Sequence, residues 1–220
     1  MTRGAAMNKN TINIRIRFSK KGLLRFIGHL DFLRVFQQTI RRAQLPVAYS
    51  QGFNPHILLS FALPLPLGME SVNDYADLTL ENDMDFCEIM NRLNTPAPTG
   101  LAITKAAPME GQRGAAAAIA ADYALEASVP AEAIENLLKS GELIVPKKTK
   151  SGIKNTDIRS DILDIWQDGG LTILRLSAGS ARFLNPLTVA ELLLGEKPAT
   201  SQLSRLELYQ LDGNGGIVPL

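Results

Sequence analysis

Apolar and polar residues alternate strictly from Thr11 to Phe18, with Ile12, Ile14, Ile16 and Phe18 on one side and Asn13, Arg15 and Arg17 on the other. That is the signature of a strand with one buried face. After the break at Lys20-Lys21-Gly22 the period changes. Between His29 and Ala43, residues Phe32, Leu33, Phe36, Ile40 and Ala43 gather within about 100° of a helical wheel, and Arg34, Gln38, Arg41 and Arg42 fall opposite. Asp31 suits the first turn of such a helix and Arg41 and Arg42 the last, because the helix dipole favours acids at its start and bases at its end. Neither element can bury its apolar side alone, so the two must pack on each other.

The same alternation of periods continues. His56 to Phe61 and Tyr75 to Leu80 read as strands, Phe86 to Leu93 as a helix and Leu101 to Ala106 as a closing strand. The order is βαββαβ. It recurs after Gly111 to Gly114 and the alanine-rich Ala115 to Ala121. Tyr123 to Val129 reads as a strand, Ala131 to Lys139 as a helix behind Pro130, and Leu143 to Pro146 as a strand. Ile158 to Trp166 and Leu171 to Leu176 read as a hairpin, Pro186 to Leu194 as a helix and Leu203 to Tyr209 as a last strand. The expected class is α+β: two tandem ferredoxin-like (βαββαβ) sandwiches with antiparallel sheets, over residues 11–110 and 121–212, joined by a linker at 111–120.

Charge is segregated along the chain although the net charge is only +1. From Ile12 to His56 stand eight bases (Arg15, Arg17, Lys20, Lys21, Arg25, Arg34, Arg41 and Arg42) against one acid, Asp31. From Ile57 to Pro146 the balance reverses, with four bases against thirteen acids. A second basic run, Lys147, Lys148, Lys150 and Lys154, follows and reads as a flexible loop entering a strand. Guanidinium groups fork onto phosphates, and a helix stripe at Arg34, Gln38, Arg41 can track a nucleic-acid backbone. With Arg15, Arg17, Lys20, Lys21 and Arg25 nearby in sequence, this segment is the candidate phosphate-facing surface, and the basic run is a candidate second clamp. An ordinary solvated helix face is the competing reading.

The two histidines, His29 and His56, lie in the same segment and could act as general acid and base on a ribose hydroxyl and a leaving oxygen. Equally, His29 could be a polar group beside Asp31 at the helix start, and His56 a turn residue. Ser50, Gly52, Phe53, Asn54 and Pro55 shape the turn before His56, with Phe53 either a stacking residue or a plug under the loop. The polar strand face Asn13, Arg15, Arg17 carries no aromatic side chain, so the stacking signature of many RNA-binding sheets is missing there. Two histidines with Asp31 and no clustered cysteine make no recognisable metal site. One cysteine, Cys87, excludes an internal disulfide and a cysteine-ligated iron–sulfur cluster within the chain. No glycine-rich phosphate loop occurs, so no nucleotide cofactor is expected. No apolar run nears the roughly 18 residues of a membrane span, and Met1 to Asn10 lacks a secretory apolar region, which makes the cytoplasm the expected address.

At the level of single residues, Arg17-Phe18-Ser19-Lys20, Leu24 to Asp31, Arg34, Arg41-Arg42-Ala43, Leu45-Pro46, Tyr49 to His56 and Leu65-Pro66-Leu67-Gly68 closely resemble the radical SAM-linked family, a bacterial domain of unknown function. Lys150-Ser151-Gly152, Asp157-Ile158-Arg159 and Leu184-Asn185-Pro186 resemble the family's tail. The family pattern usually reads S-H-L-D where this chain has Gly28-His29-Leu30-Asp31, a change that removes a hydroxyl able to cap the helix. The resemblance implies an accessory role beside a radical SAM enzyme, whose cluster this chain cannot supply. The tandem layout is also similar, at the level of fold, to the CRISPR repeat-cleaving endoribonucleases, which bind RNA in a basic cleft and cleave without metal. The leading expectation is an RNA-binding or substrate-presenting module. The alternatives are a metal-independent endoribonuclease using His29 and His56, and a protein-interaction adaptor.

Overall fold

Strict alternation at the start of the chain forms β1 (Ile12–Lys20) in the computed structural model, which describes residues 11–109, 114–149 and 152–220. Ile14, Ile16 and Phe18 are buried, and α1 (His29–Arg42) lies over them. Phe18 meets Phe32 and Phe36 of α1 and Phe61 of β2 (Leu59–Phe61), with all pairs among the four rings 5.1 to 6.1 Å apart between centroids. Rings at these spacings add specific edge and tilted contacts to the burial of their area. Gly28 is the N-cap of α1 and offers no side-chain bond, so His29 opens the helix uncapped.

Strand β3 (Glu70–Leu80), helix α2 (Phe86–Asn94) and strand β4 (Leu101–Pro108) complete the first unit. Asp85 caps α2 by accepting the Glu88 N–H at 2.9 Å, and Ile89 and Leu93 drop into the same core as Phe32 and Phe36. All strand pairs are antiparallel, in the order β4-β1-β3-β2. Both helices therefore feed one apolar face, and Asn13, Arg15 and Arg17 look out of the other.

The second unit contains β5 (Ala120–Leu125), α3 (Ala131–Lys139), a ribbon of β6 (Ile144–Thr149) and β7 (Gly152–Asp157), then β8 (Ile162–Asp168), β9 (Leu171–Ser177), α4 (Pro186–Leu194), β10 (Leu203–Leu211) and β11 (Ile217–Pro219). Its sheet runs β10-β5-β9-β8 with β11 on β10, and these pairs too are antiparallel. Counted within each unit, the strand order is the same in both. The chain divides into these two compact units between Ala117 and Ala118, and the protein is α+β, with four helices among the described residues.

Several sequence expectations shift. The strand expected over His56 to Phe61 is confined to Leu59–Phe61, because His56 belongs to the Ser50 turn and Ile57 makes only an isolated bridge to Tyr49. The basic run expected as a flexible loop forms the arms of the β6–β7 ribbon, with Lys147 opposite Lys154. Lys150 lies outside the described residues. The strand expected from Ile158 begins only at Ile162, after a short 3-10 turn at Arg159–Asp161. Of the alanine-rich stretch expected as linker, Ala115, Ala118, Ala120 and Ala121 are buried, and the last two open β5 rather than connecting halves. Residues 110–113 of the connection lie outside the described residues.

One glycine is held by a close backbone approach. Gly100 has φ +96°, its carbonyl accepts the Lys21 N–H at 2.8 Å, and a Cβ there would stand 2.2 Å from the Lys21 carbonyl oxygen. Gly100→Ala is expected to lower the unfolding free energy by more than about 1 kcal/mol. Gly141→Ala, where nothing lies within 4 Å of the new methyl, should stay within about 0.5 kcal/mol of the parent in urea unfolding.

Candidate functional site

Which cations of the basic segment are free to meet a ligand depends on what each already touches. Arg15 stands directly across from Asp77 in the β1–β3 register. Its Nε donates to Oδ1 at 2.8 Å and its Nη2 to Oδ2 at 3.3 Å, and the Arg15 side chain is only 5% exposed. Asp77 also accepts the Ala115 N–H. Lys20 is buried, with Nζ donating to the Ile27 carbonyl at 3.0 Å and lying 4.8 Å from the centre of the Phe32 ring. Arg25 pairs with Glu70 at 3.4 Å and stacks on Phe26. Arg17 is half-buried and donates to the Thr104 hydroxyl at 3.3 Å. These four are engaged in holding the fold.

On the outer face of α1 the situation differs. Arg34 donates to Asp31 at 2.8 Å, but both side chains are well exposed, so solvent screens the pair. Gln38, Arg41 and Arg42 are exposed, and none has a side-chain partner among the described residues. Lys21 is exposed as well. The α1 stripe lies on the helix side of the sheet while Arg15 and Arg17 lie on the other, so the structure does not gather the basic segment into one surface. In the second unit Lys147 and Lys154 are exposed and face one another across the ribbon. Like charges placed so repel each other unless an anion lies between them.

The two histidines are also separated. His29, half-buried, lies edge-on to Phe61 at 5.8 Å and lines, with Lys20, Leu63, Leu65 and Asp74, a crevice of about 10 Å³, room for about one water. His56 is exposed. Its Nδ1 is 2.8 Å from the Ser50 hydroxyl, which also accepts the His56 N–H at 3.1 Å, and it borders a different cavity of about 280 Å³ beside Ser60, Asp77 and Thr79. The two rings thus border different pockets. In the turn between, Gly52 has φ +127° and Phe53 is fully exposed, so Phe53 is no plug. Asn54 and Pro55 are exposed beside it. Among the described residues no group of three His, Cys, Asp or Glu could hold a metal ion, and no helix is long and apolar enough to cross a membrane.

A second cluster, not among the residues expected from the sequence, lies in the second unit. Arg175 on β9 stands across from Asp122 on β5, with Nε and Nη2 each donating at 2.8 Å to its two oxygens. The Tyr209 hydroxyl of β10 donates to the same carboxylate at 2.6 Å. The guanidinium lies 4.6 Å from the centre of the Tyr209 ring and 5.2 Å from that of Trp166 on β8. Asp122 raises the Arg175 pKa further. Burial, and next the bond to Asp122, push the Tyr209 phenol up to about 12. The available signal was a charge inside each of two apolar strands, since a buried charge needs a partner.

A family described as an uncharacterized protein conserved in bacteria (DUF2344) matches residues 13–186, and the chain belongs to that family. No curated protein matches the chain.

The engaged and the free cations respond differently to substitution. Arg15→Met leaves the Asp77 carboxylate without its guanidinium in a largely dry site and should cost about 3 kcal/mol in urea unfolding. Arg41→Met should cost less than about 0.5 kcal/mol. The phenol predicts an alkaline effect. Because the folded pKa of Tyr209 lies above its ordinary value of 10.0, its stabilising contribution is complete below pH 10 and is lost as pH rises through about 12. Ultraviolet titration of the protein minus its Tyr209→Phe variant should show that phenolate appearing near pH 12 rather than near pH 10.

Proposed function

We propose that this bacterial protein is a non-catalytic RNA-binding or substrate-presenting module, built from two ferredoxin-like units, that serves a radical SAM enzyme. The common strand order β4-β1-β3-β2 and β10-β5-β9-β8 supports the tandem description. The single observation that carries RNA binding is the state of Arg41 and Arg42. They are adjacent and exposed at the end of α1, with no carboxylate partner among the described residues, while Arg15, Lys20 and Arg25 are held inside the fold. The dipole of α1 favours positive charge in its last turn, but it does not use the forked donors of two guanidinium groups, and phosphates would satisfy them. Gln38 and Arg34 extend the same stripe, and Lys147 and Lys154 offer a second basic arm.

The non-catalytic reading is favoured over a ribonuclease because His29 and His56 border different cavities. The sequence resemblance to the radical SAM-linked family supports a radical SAM partner, and the chain's single Cys87 would leave the cluster to that partner.

Labelled structured RNA should bind at low salt, with affinity falling steeply as salt rises. Arg41→Glu with Arg42→Glu should weaken binding by about ten-fold or more and lower the salt slope by about 1 per lost phosphate contact. No binding at low salt would leave only a protein-interaction adaptor, and RNA cleavage in chelator that disappears in His29→Ala would overturn the non-catalytic reading.

A further inference from the structure

The geometry points to Trp166, Arg175 and Tyr209 of the second unit as a stacking platform for an unpaired nucleobase. In the register of that sheet, Ile165, Leu174, Tyr123 and Arg205 lie side by side and are at most 4% exposed. The adjoining row, Asp164, Arg175, Asp122 and Glu207, points the opposite way, and all but Asp122 are at least partly exposed. Trp166 and Tyr209 share that more open face, each two residues along from a member of the row, and both are half-buried.

Three features suit a base rather than a phosphate. Asp122 holds Arg175 through two bonds of 2.8 Å, so the guanidinium charge is already neutralised. What remains for a ligand is flat aromatic surface, since unstacked bases lie on rings such as those of Trp166 and Tyr209. The platform is also fixed before any ligand arrives. The Tyr209 hydroxyl donates to Asp122 at 2.6 Å and accepts from Arg175 at 3.0 Å, and the guanidinium spans both rings, so little side-chain freedom remains to be lost on binding. Finally, Trp166 lies on β8, which ends the β10-β5-β9-β8 path, so a strand of nucleic acid can enter from the sheet edge. A duplex keeps its bases stacked inside, which makes the ligand a single-stranded segment.

The ligand class rests on the RNA-binding reading, but the residues differ from those of α1, so the two can fail separately. Trp166 is the only tryptophan in the chain, and its fluorescence reports on this position alone. Oligoadenylate of about ten nucleotides, a length within the usual site size, would be titrated into the full chain while Trp166 emission is followed, with anisotropy of a labelled copy read in parallel. Quenching that saturates together with the anisotropy is expected, as is a loss of affinity of about ten-fold in Trp166→Ala and near-parental binding in Trp166→Phe. If the oligonucleotide binds and Arg41→Glu with Arg42→Glu weakens it, yet Trp166 emission and the affinity of Trp166→Ala are unchanged, the platform is wrong and the α1 reading stands. If no RNA of either kind binds, both are wrong. Should Trp166→Ala not fold, the quenching in the parent protein and the Trp166→Phe affinity decide.

Discussion

The contact of Phe18 with Phe32 and Phe36 settles where the charged groups of the first unit can point. Once those rings place α1 on one face of β1, alternation sends Arg15 and Arg17 to the far face, and the helical period sends Arg34, Gln38, Arg41 and Arg42 outward from the near one. A basic segment that is continuous in sequence is thereby split by the sheet. The strand-side arginines then meet polar neighbours on β3 and β4, Asp77 and Thr104, and become part of the fold. The helix-side arginines meet solvent. Availability for a ligand is in this sense a by-product of how the core is packed.

The elements themselves were largely visible in the sequence, because their signals are local. α3 and α4 span Ala131–Lys139 and Pro186–Leu194 as the helical pattern behind Pro130 and at Pro186 predicts, and α1 ends within a residue of its expected limit. The start of the β6–β7 ribbon was visible as the strand expected over Leu143 to Pro146, and its continuation was hidden by its lysines. Proline inside a run argues against a central strand, but it is tolerated in a two-stranded ribbon, where each strand has a free edge. Opposing lysines disguise a strand as a solvated loop.

The site was far less legible. Arg15 and Asp77 are 62 positions apart, and Arg175 and Asp122 are 53 apart. Counting charge along a window treats Arg15, Lys20 and Arg41 as equivalent, whereas only the fold reveals that the first two are spent on internal partners. The aromatic pair of the second sheet is hidden in the sequence for the same reason. Trp166 and Tyr209 come together only when β8, β9, β5 and β10 are laid side by side.

The ion pair at the centre of each unit has its polarity reversed between them. In the first unit the base is on the opening strand and the acid on its partner, Arg15 facing Asp77. In the second the acid is on the opening strand and the base on its partner, Asp122 facing Arg175. Strands that hold equivalent places in two halves with the same strand order thus carry opposite charges. Were β5 to take the place of β1, Asp122 would meet Asp77, and β1 in the place of β5 would bring Arg15 against Arg175. Either exchange would set like charges opposite each other. The reversal thus makes the two pairs non-interchangeable, because each guanidinium meets a carboxylate only on the strand of its own unit.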